Sequence, residues 1–502
     1  MRKFFVMMIA AHAAFGVQAQ DSLSVNARTL RQLDPLAAAG NASAMRFAPS
    51  YGLLSPYASF SSASASFDFR QESKALVPEE GDGLSRGRFD AETFLRMKGG
   101  SAVSGAVGYR RAVKRNVMLN ETADFELLQP YVLVDTVGGN LQNEVYAFRG
   151  EWMHRNGNLL YSLGGSYKAV HEYRTFDPRP RNISSDFNAG ASLGVVFDGG
   201  SLIAHASYRR YNQDQNVTFV SNKGANTTLF HATGLGRDYW RFRSTGIFAA
   251  TRYAGQGFSA GVVGSAADGR FTCGMSYDFM SVSRHLSNQN DAPISILSTG
   301  TIRTFASWRI SSRAALMANL VHEGRDGAEN VIDCAASGIY QDLISMDMYA
   351  SSDLSASLSA VVSLEKDYGV WHILPALNYS RISQKYLYPS SRMHASSLDA
   401  VLGADFSTLR GKWLQVIRSS AGFSRHLERE VSLQCMDDRI QEAYTDKFLF
   451  QSGDYAHLSI QAMTQRELSG HIAVFSRLVA ACAVHETGDT ALGLSISVGI
   501  SY

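Results

Sequence analysis

Alternation of polar and apolar residues is the dominant pattern along this chain of 502 residues. From Arg88 to Lys98 the even positions carry Arg88, Asp90, Glu92, Phe94, Arg96 and Lys98. The odd positions carry Phe89, Ala91, Thr93, Leu95 and Met97. A period of two belongs to a strand whose faces meet different surroundings, here one mostly charged and one mostly apolar. Glu144 to Arg155 repeats it, with Arg149, Glu151 and Arg155 set against Tyr146, Phe148 and Trp152. Leu159 to Arg174 sets Ser162, Ser166, Lys168, Glu172 and Arg174 against Leu159, Tyr161, Leu163 and Tyr167. Lys412 to Leu427 is less regular and mixes both kinds of residue on both faces.

These strands run about 10 to 14 residues, longer than the five or six usual in globular sheets and close to tilted membrane strands. Tight turns are expected at Gly99-Gly100, Asn156-Gly157-Asn158, Asp198-Gly199-Gly200, Gly255-Gln256-Gly257, Ser311-Ser312, Asp367 to Gly369 and Leu409 to Gly411. Between them lie long polar stretches, such as Lys114 to Asn140, Asn212 to Arg237 and Glu428 to Asp446. A soluble β-sandwich also alternates, but short turns at one end and long loops at the other mark a membrane barrel. Trp152, Trp308, Trp371 and Trp413 fall beside the tight turns, where an aromatic girdle would sit at headgroup level. The reading is therefore all-β: a transmembrane antiparallel up-and-down β-barrel over residues 57–502, with short periplasmic turns and long external loops. Strict alternation gives about 18 strands, with 14 to 20 compatible. That count takes Phe258 to Ser283 and Asp342 to Glu365 as single long strands and puts both ends on the periplasmic side.

The chain begins with Arg2 and Lys3, a short apolar stretch, and Val17-Gln18-Ala19, the pattern of a secretory signal peptide over residues 1–19. Residues 20–56 form a separate N-terminal segment, with Leu30, Leu33, Leu36 and Ala37 at near-helical spacing and Pro35 against a continuous helix. It reads as a short periplasmic helix, a lumen plug or a loosely ordered arm. No apolar run reaches the ~18 residues of a helical span. Glycine (43) is frequent, proline (10) scarce, and Tyr (22) and Phe (27) abundant, with a mean hydropathy of −0.11. Such a mixture suits strands with one face in lipid and one in a polar lumen.

A net charge of +2 gives no reason to expect a nucleic-acid partner. The four cysteines form no CxxC or Cys/His cluster, so neither a metal centre nor a cofactor is expected. An oxidising compartment would allow a Cys334–Cys435 bridge between outer loops. No G-x-S-x-G, H-E-x-x-H or P-loop pattern occurs, and His154, His171 and His205 read as wall residues rather than catalytic bases.

Candidate lumen-lining residues are Arg88, Asp90, Glu92, Arg96, Arg149, Glu151, Lys168, Glu172 and Arg174 in the first third of the barrel. Arg237, Arg241 and Arg243 share one parity on a later strand. Rings of such charges select solutes in a pore, although opposite charges can also simply pair across the wall. The unbalanced Arg237–Arg243 group would favour anions. Asp177, Arg179 and Arg181, in the Asp-Pro-Arg-Pro-Arg-Asn stretch, form a stiff basic external loop suited to carboxylate or phosphate.

The whole chain resembles the outer-membrane β-barrel proteins of diderm bacteria. Its end, Ser497-Val498-Gly499-Ile500-Ser501-Tyr502, looks like the C-terminal signal read by the barrel-assembly machinery, with Tyr502 in place of the commoner Phe. Arg174 to Asn182 is similar to a stretch of an outer-membrane barrel family of unknown function. More distantly the chain resembles porins and fatty-acid-transporter-like barrels; the latter often carry Asn-Pro-Ala near the N-terminus, where this chain has Asn41-Ala42-Ser43 without the proline. The resemblance implies the outer membrane as location, with membrane lipid, lipopolysaccharide and possible surface lipoproteins as partners. Two functions follow: a channel or transporter for small polar solutes, or a docking barrel that holds surface proteins or lipopolysaccharide. A barrel enzyme is a third.

Overall fold

The computed structural model describes residues 23–220, 229–243, 248–287, 289–332, 342–435 and 437–502. The signal-peptide reading of residues 1–19 lies outside them. Eighteen antiparallel strands close into one up-and-down barrel. They are β1 (Phe60–Glu72), β2 (Gly83–Arg96), β3 (Ser101–Val117), β4 (Gly139–Asn156), β5 (Leu159–Tyr173) and β6 (Arg179–Phe197). Then come β7 (Gly200–Thr218), β8 (Ala250–Ala266), β9 (Phe271–Leu286), β10 (Ala292–Ser311), β11 (Ala314–Ile332) and β12 (Asp342–Lys366). The wall is completed by β13 (Gly369–Tyr386), β14 (Ser391–Arg410), β15 (Trp413–Ser432), β16 (Tyr455–Ser469), β17 (Ile472–His485) and β18 (Thr490–Ser501). Each strand pairs with its chain neighbours, and β18 closes on β1 with Val498 opposite Ala65. Closure leaves no open edge.

The connections at one end are two to four residues long, and those at the other run from four to 31. The start of β1 and the end of β18 lie at the short-turn end. Two local expectations need correction. Gly255-Gln256-Gly257 is not a turn but the middle of β8, and Phe258 to Ser283 is not one strand but breaks at residues 267–270. The glycines mislead because they serve packing. A side chain at Gly255 would start 2.6 Å from the Met280 methyl and meet Val282 and Tyr211. The two errors cancel in the strand count. Asp342–Lys366 is a single long strand, as expected.

Alternation sorts the wall as the sequence indicates. Leu492, Leu494, Ile496, Val498, Ile500 and Tyr502 are exposed on the outer face of β18, and Tyr146, Phe148, Trp152, Leu159, Leu163 and Tyr167 on that of β4 and β5. Inward-facing Ser497 and Ser501 are buried.

The N-terminal segment packs against the inner wall at the short-turn end. It is built of α1 (Val25–Leu33), α2 (Pro35–Ala38), α3 (Asn41–Phe47) and a tight turn over Pro49–Leu53. The helical run breaks at Asp34, whose carboxylate caps the Leu36 amide at 2.8 Å. Pro35 therefore occupies a first helical position, where its missing N–H costs nothing. Ala44, Phe47, Ala48 and Tyr51 pack on the inward residues Leu160, Ile203, Val263 and Phe305. Gly40, in the left-handed region at φ 78°, lies so near β10 that a Cβ would be 2.7 Å from that of Ser307.

The long-loop end is also filled. Leu133–Val134, Phe230–Gly234 and Arg237–Asp238 form a small three-stranded sheet across the mouth. Together with α4 (Phe125–Leu128) and α5 (Asp438–Gln451) it packs on the wall residues Tyr211, Tyr253, Met280 and Val282.

Candidate functional site

Between the N-terminal segment and the loop lid lies a polar chamber of about 1210 Å³, lined by eight basic and six acidic side chains. The strand period of two projects Arg88, Asp90 and Glu92 of β2, Arg110 of β3, Arg149 of β4 and Lys168 of β5 into it. Arg46 of α3 enters from below, and Glu126 and Leu127 of α4 from above.

On the far wall the charges are neutralised. Arg209 holds Asp186 through two hydrogen bonds of 2.9 and 2.7 Å, Arg303 pairs with Asp278, and Arg325 binds Glu323 at 2.8 Å. On the near wall Arg88 shares Asp68 with Arg86, at 3.0 and 2.8 Å, and Lys168 binds Asp124 at 2.7 Å. That leaves Arg46, Arg110, Arg149, Asp90, Glu92 and Glu126 outside any ion pair among the described residues. Burial raises the Glu126 carboxyl above its ordinary value, against the opposing pull of Lys447.

The chamber shares lining residues with two further cavities. Arg46, Glu92 and Arg149 also line one of about 690 Å³ beside α1, which includes Glu151. Arg110, Glu126 and Lys168 also line one of about 860 Å³ that reaches Glu172 and Ser495 under the loops. The three form a string along the β1–β5 wall.

The remaining candidates divide by role. Arg96 donates to the carbonyls of Gly52 (2.9 Å), Leu53 (3.2 Å), Ser55 (2.6 Å) and Tyr57 (3.0 Å), so it binds the N-terminal segment rather than lining open space. Glu151 accepts from Ser162 at 3.0 Å. Glu172 is buried against Lys114 at 3.6 Å. Arg174 is fully buried between Glu121 (2.7 Å) and Asp135 (3.0 Å), anchoring the 118–138 loop.

Arg237, Arg241 and Arg243 are not on a barrel strand. They lie in the loop between β7 and β8, and they bind the Gln434 carbonyl (2.8 Å), the Ile332 carbonyl (2.6 Å) and Asp238 (2.6 Å) respectively. Their shared parity comes from a short lid strand and the turn after it, so they form no selectivity ladder. The loop expected to face outward ends at residue 178, and Arg179 and Arg181 already belong to β6. Asp177 accepts from Arg179 at 2.7 Å and from the Val220 amide at 3.0 Å, which ties that turn to its neighbour. Cys334 lies outside the described residues; the Cys435 thiol is free and 3.7 Å from the Leu235 carbonyl.

Arg46, Arg110 and the paired residues of β6–β11 were missed by sequence reasoning; extending the parity of β2 to β3 would have found Arg110. A group able to hold a metal was also missed: His426, Asp454 and Glu486, whose ligand atoms lie within 4.8 Å of one another. Their bonds are already taken within the protein. Asp454 accepts the His426 amide (2.8 Å) and ring (2.6 Å), and Glu486 accepts Arg429 (2.9 Å). Those contacts hold both carboxyls below their usual range.

Fold and site together define an outer-membrane-type barrel with an occupied lumen. Residues 50–502 match the model of a family of unknown function (DUF6850), and the chain belongs to that family. No curated protein matches the sequence. Among solved structures it is similar to BauA, the ferric preacinetobactin receptor of Acinetobacter baumannii, at 9% identity over 88% of this chain and 80% of that one, TM-score 0.38. It is similar to the copper transporter OprC at 9% identity over 85% and 61%, TM-score 0.41. It is similar to the CymD monoaromatic hydrocarbon channel at 11% identity over 97% and 98%, TM-score 0.33. Nothing about cargo follows from these likenesses.

Proposed function

We propose that this barrel sits in the outer membrane of a diderm bacterium, with its short turns on the periplasmic side. In this reading it passes small polar solutes along the β1–β5 wall. The observation that carries the reading is the string of three cavities that share charged lining residues. Arg46, Glu92 and Arg149 line both the chamber and the cavity beside α1, and Arg110, Glu126 and Lys168 line both the chamber and the cavity under the loops. A permeation route needs such graded, multi-site contact, because a solute must bind well enough to enter and weakly enough to leave. The N-terminal segment and the loop lid act as gates at the two ends. The test is conductance of the purified protein in planar bilayers: current steps support a channel, and a silent barrel contradicts it. One observation favours a second reading. Both ends of the lumen are packed with apolar side chains, as suits a docking barrel whose loops hold a surface protein or lipopolysaccharide. Co-purification of a stoichiometric surface lipoprotein with a silent barrel would favour that alternative.

A further inference from the structure

Within the chamber, four of the charges outside any ion pair among the described residues lie together on β2, β3 and β4. The register sets Glu92 opposite Ala106 and Asp90 opposite Gly108, on the β2 side of β3. On the other side Arg149 faces Ala106 and Ala147 faces Gly108. Arg110 stands one inward position further along β3. A hollow floored by Ala106 and Gly108 thus has two carboxylates along one edge, a guanidinium along the other, and a second guanidinium at its head. Glu92 and Arg149 are two strands apart, about 10 Å between Cα atoms. Opposite charges in a weakly screening interior attract strongly, yet no ion pair joins these residues among the described ones. The intervening strand β3 separates the two edges, and its small residues leave the space between them open. Asp90 already leans over this floor, its Oδ1 3.1 Å from where a Gly108 Cβ would lie.

We propose that this hollow binds a short zwitterionic solute, an amino acid or small peptide, with its ammonium group on Asp90 and Glu92 and its carboxylate on Arg110 and Arg149. This names the substrate class for the transport route and rests on that reading for its role in passage. Each end of such a solute gives these side chains the charge-assisted hydrogen bonds that no ion pair among the described residues supplies. The chamber, about 1210 Å³, exceeds the ~300–1,000 Å³ common for small-ligand pockets, so a peptide fits together with water.

Isothermal titration calorimetry of the full chain in detergent micelles, with trialanine and its capped forms, tests the site. Trialanine should bind saturably, and N-acetylation or C-terminal amidation should each weaken binding about tenfold or more. In Glu92→Gln the penalty for acetylation should shrink while that for amidation persists; Arg149→Gln should do the reverse. Ala106→Leu fills the floor without changing charge and should abolish binding of all forms. Equal affinity for free and capped peptides overturns the proposal. So does the absence of saturable binding in both the native chain and Arg96→Met, in which the N-terminal segment is loosened. End-specific binding by a barrel that carries no current leaves the site standing and removes transport. Current without end-specific binding removes the site and leaves transport.

Discussion

Replacing Arg96 tests how the short-turn end is held shut. Its guanidinium spans four carbonyl oxygens between Gly52 and Tyr57 at 2.6 to 3.2 Å. Arg96→Met keeps most of the apolar stem and removes every donor. Hydrogen bonds to a charged group contribute about 1.5–3 kcal/mol each, but they are not additive where one fork serves four acceptors and water replaces some of them. About 3 kcal/mol in total is a reasonable sum, which corresponds to roughly a hundredfold rise in the open population of this segment. The other wall contacts remain, including Arg418 to the Leu33 carbonyl at 2.7 Å and Ser192 to Ser50 at 2.6 Å. Opening should therefore be local, over residues 49–57. Hydrogen–deuterium exchange reads this directly at the amides of Tyr51, Leu54 and Ser55, which bond within the turn at 2.9, 2.9 and 3.1 Å. Their exchange should accelerate roughly a hundredfold, with the strands unaffected. Unchanged protection at these amides in a folded variant would refute Arg96 as the clasp.

Four further outcomes are expected. Ile496→Lys puts a charge on the exposed outer face of β18 and should cost about 2–4 kcal/mol if that position meets the bilayer midplane; normal heat-modifiable migration and thermal stability would contradict that orientation. Arg174→Met leaves Glu121 and Asp135 buried without a cation, and should destabilise the lid by about 3–5 kcal/mol, read as faster proteolysis within residues 118–138. Asp454 is held low chiefly by the His426 amide, and Glu486 by Arg429. Depressed carboxyls stabilise above the unfolded pKa of about 4 and lose that contribution as pH falls through their folded values. Protection of the Glu486 amide, bonded to the Asp454 carbonyl at 2.8 Å, should hold at neutral pH and drop in acid once corrected for intrinsic exchange. Burial pushes the Cys435 thiol up to about 11, so its alkylation rate should keep climbing past pH 9, where an ordinary thiol levels off.

The wall was legible because a closed barrel imposes one rule on every strand: inward and outward residues alternate, and the outer set is largely apolar. Arg88, Asp90, Glu92, Arg149 and Lys168 followed directly from that period. It fails where the lumen is filled, because there the inner face becomes an ordinary core. Gly255 and Gly257 mimic a turn since they admit the Met280 side chain, and Phe94 breaks its charged row since it packs with Met153. The long polar stretch Asn212 to Arg237 reads as an external loop, but its apolar residues Phe230 and Ala232 fold into the mouth, and Arg237–Arg243 lie there rather than on a wall strand. Ion pairing was not legible at all. Whether Arg209 finds Asp186, or Arg149 stays outside any ion pair among the described residues, depends on cross-strand stagger that no single strand displays. The same stagger sets Asp90 and Glu92 apart from Arg149 across two small residues.

The central claim, a solute route through a gated lumen, is tested most directly by single-channel recording of the native chain and Arg96→Met in planar bilayers. The expected record is rare, brief current steps from the native protein and much higher open probability from the variant. Silence from both proteins, when they are correctly folded in the bilayer, would contradict it.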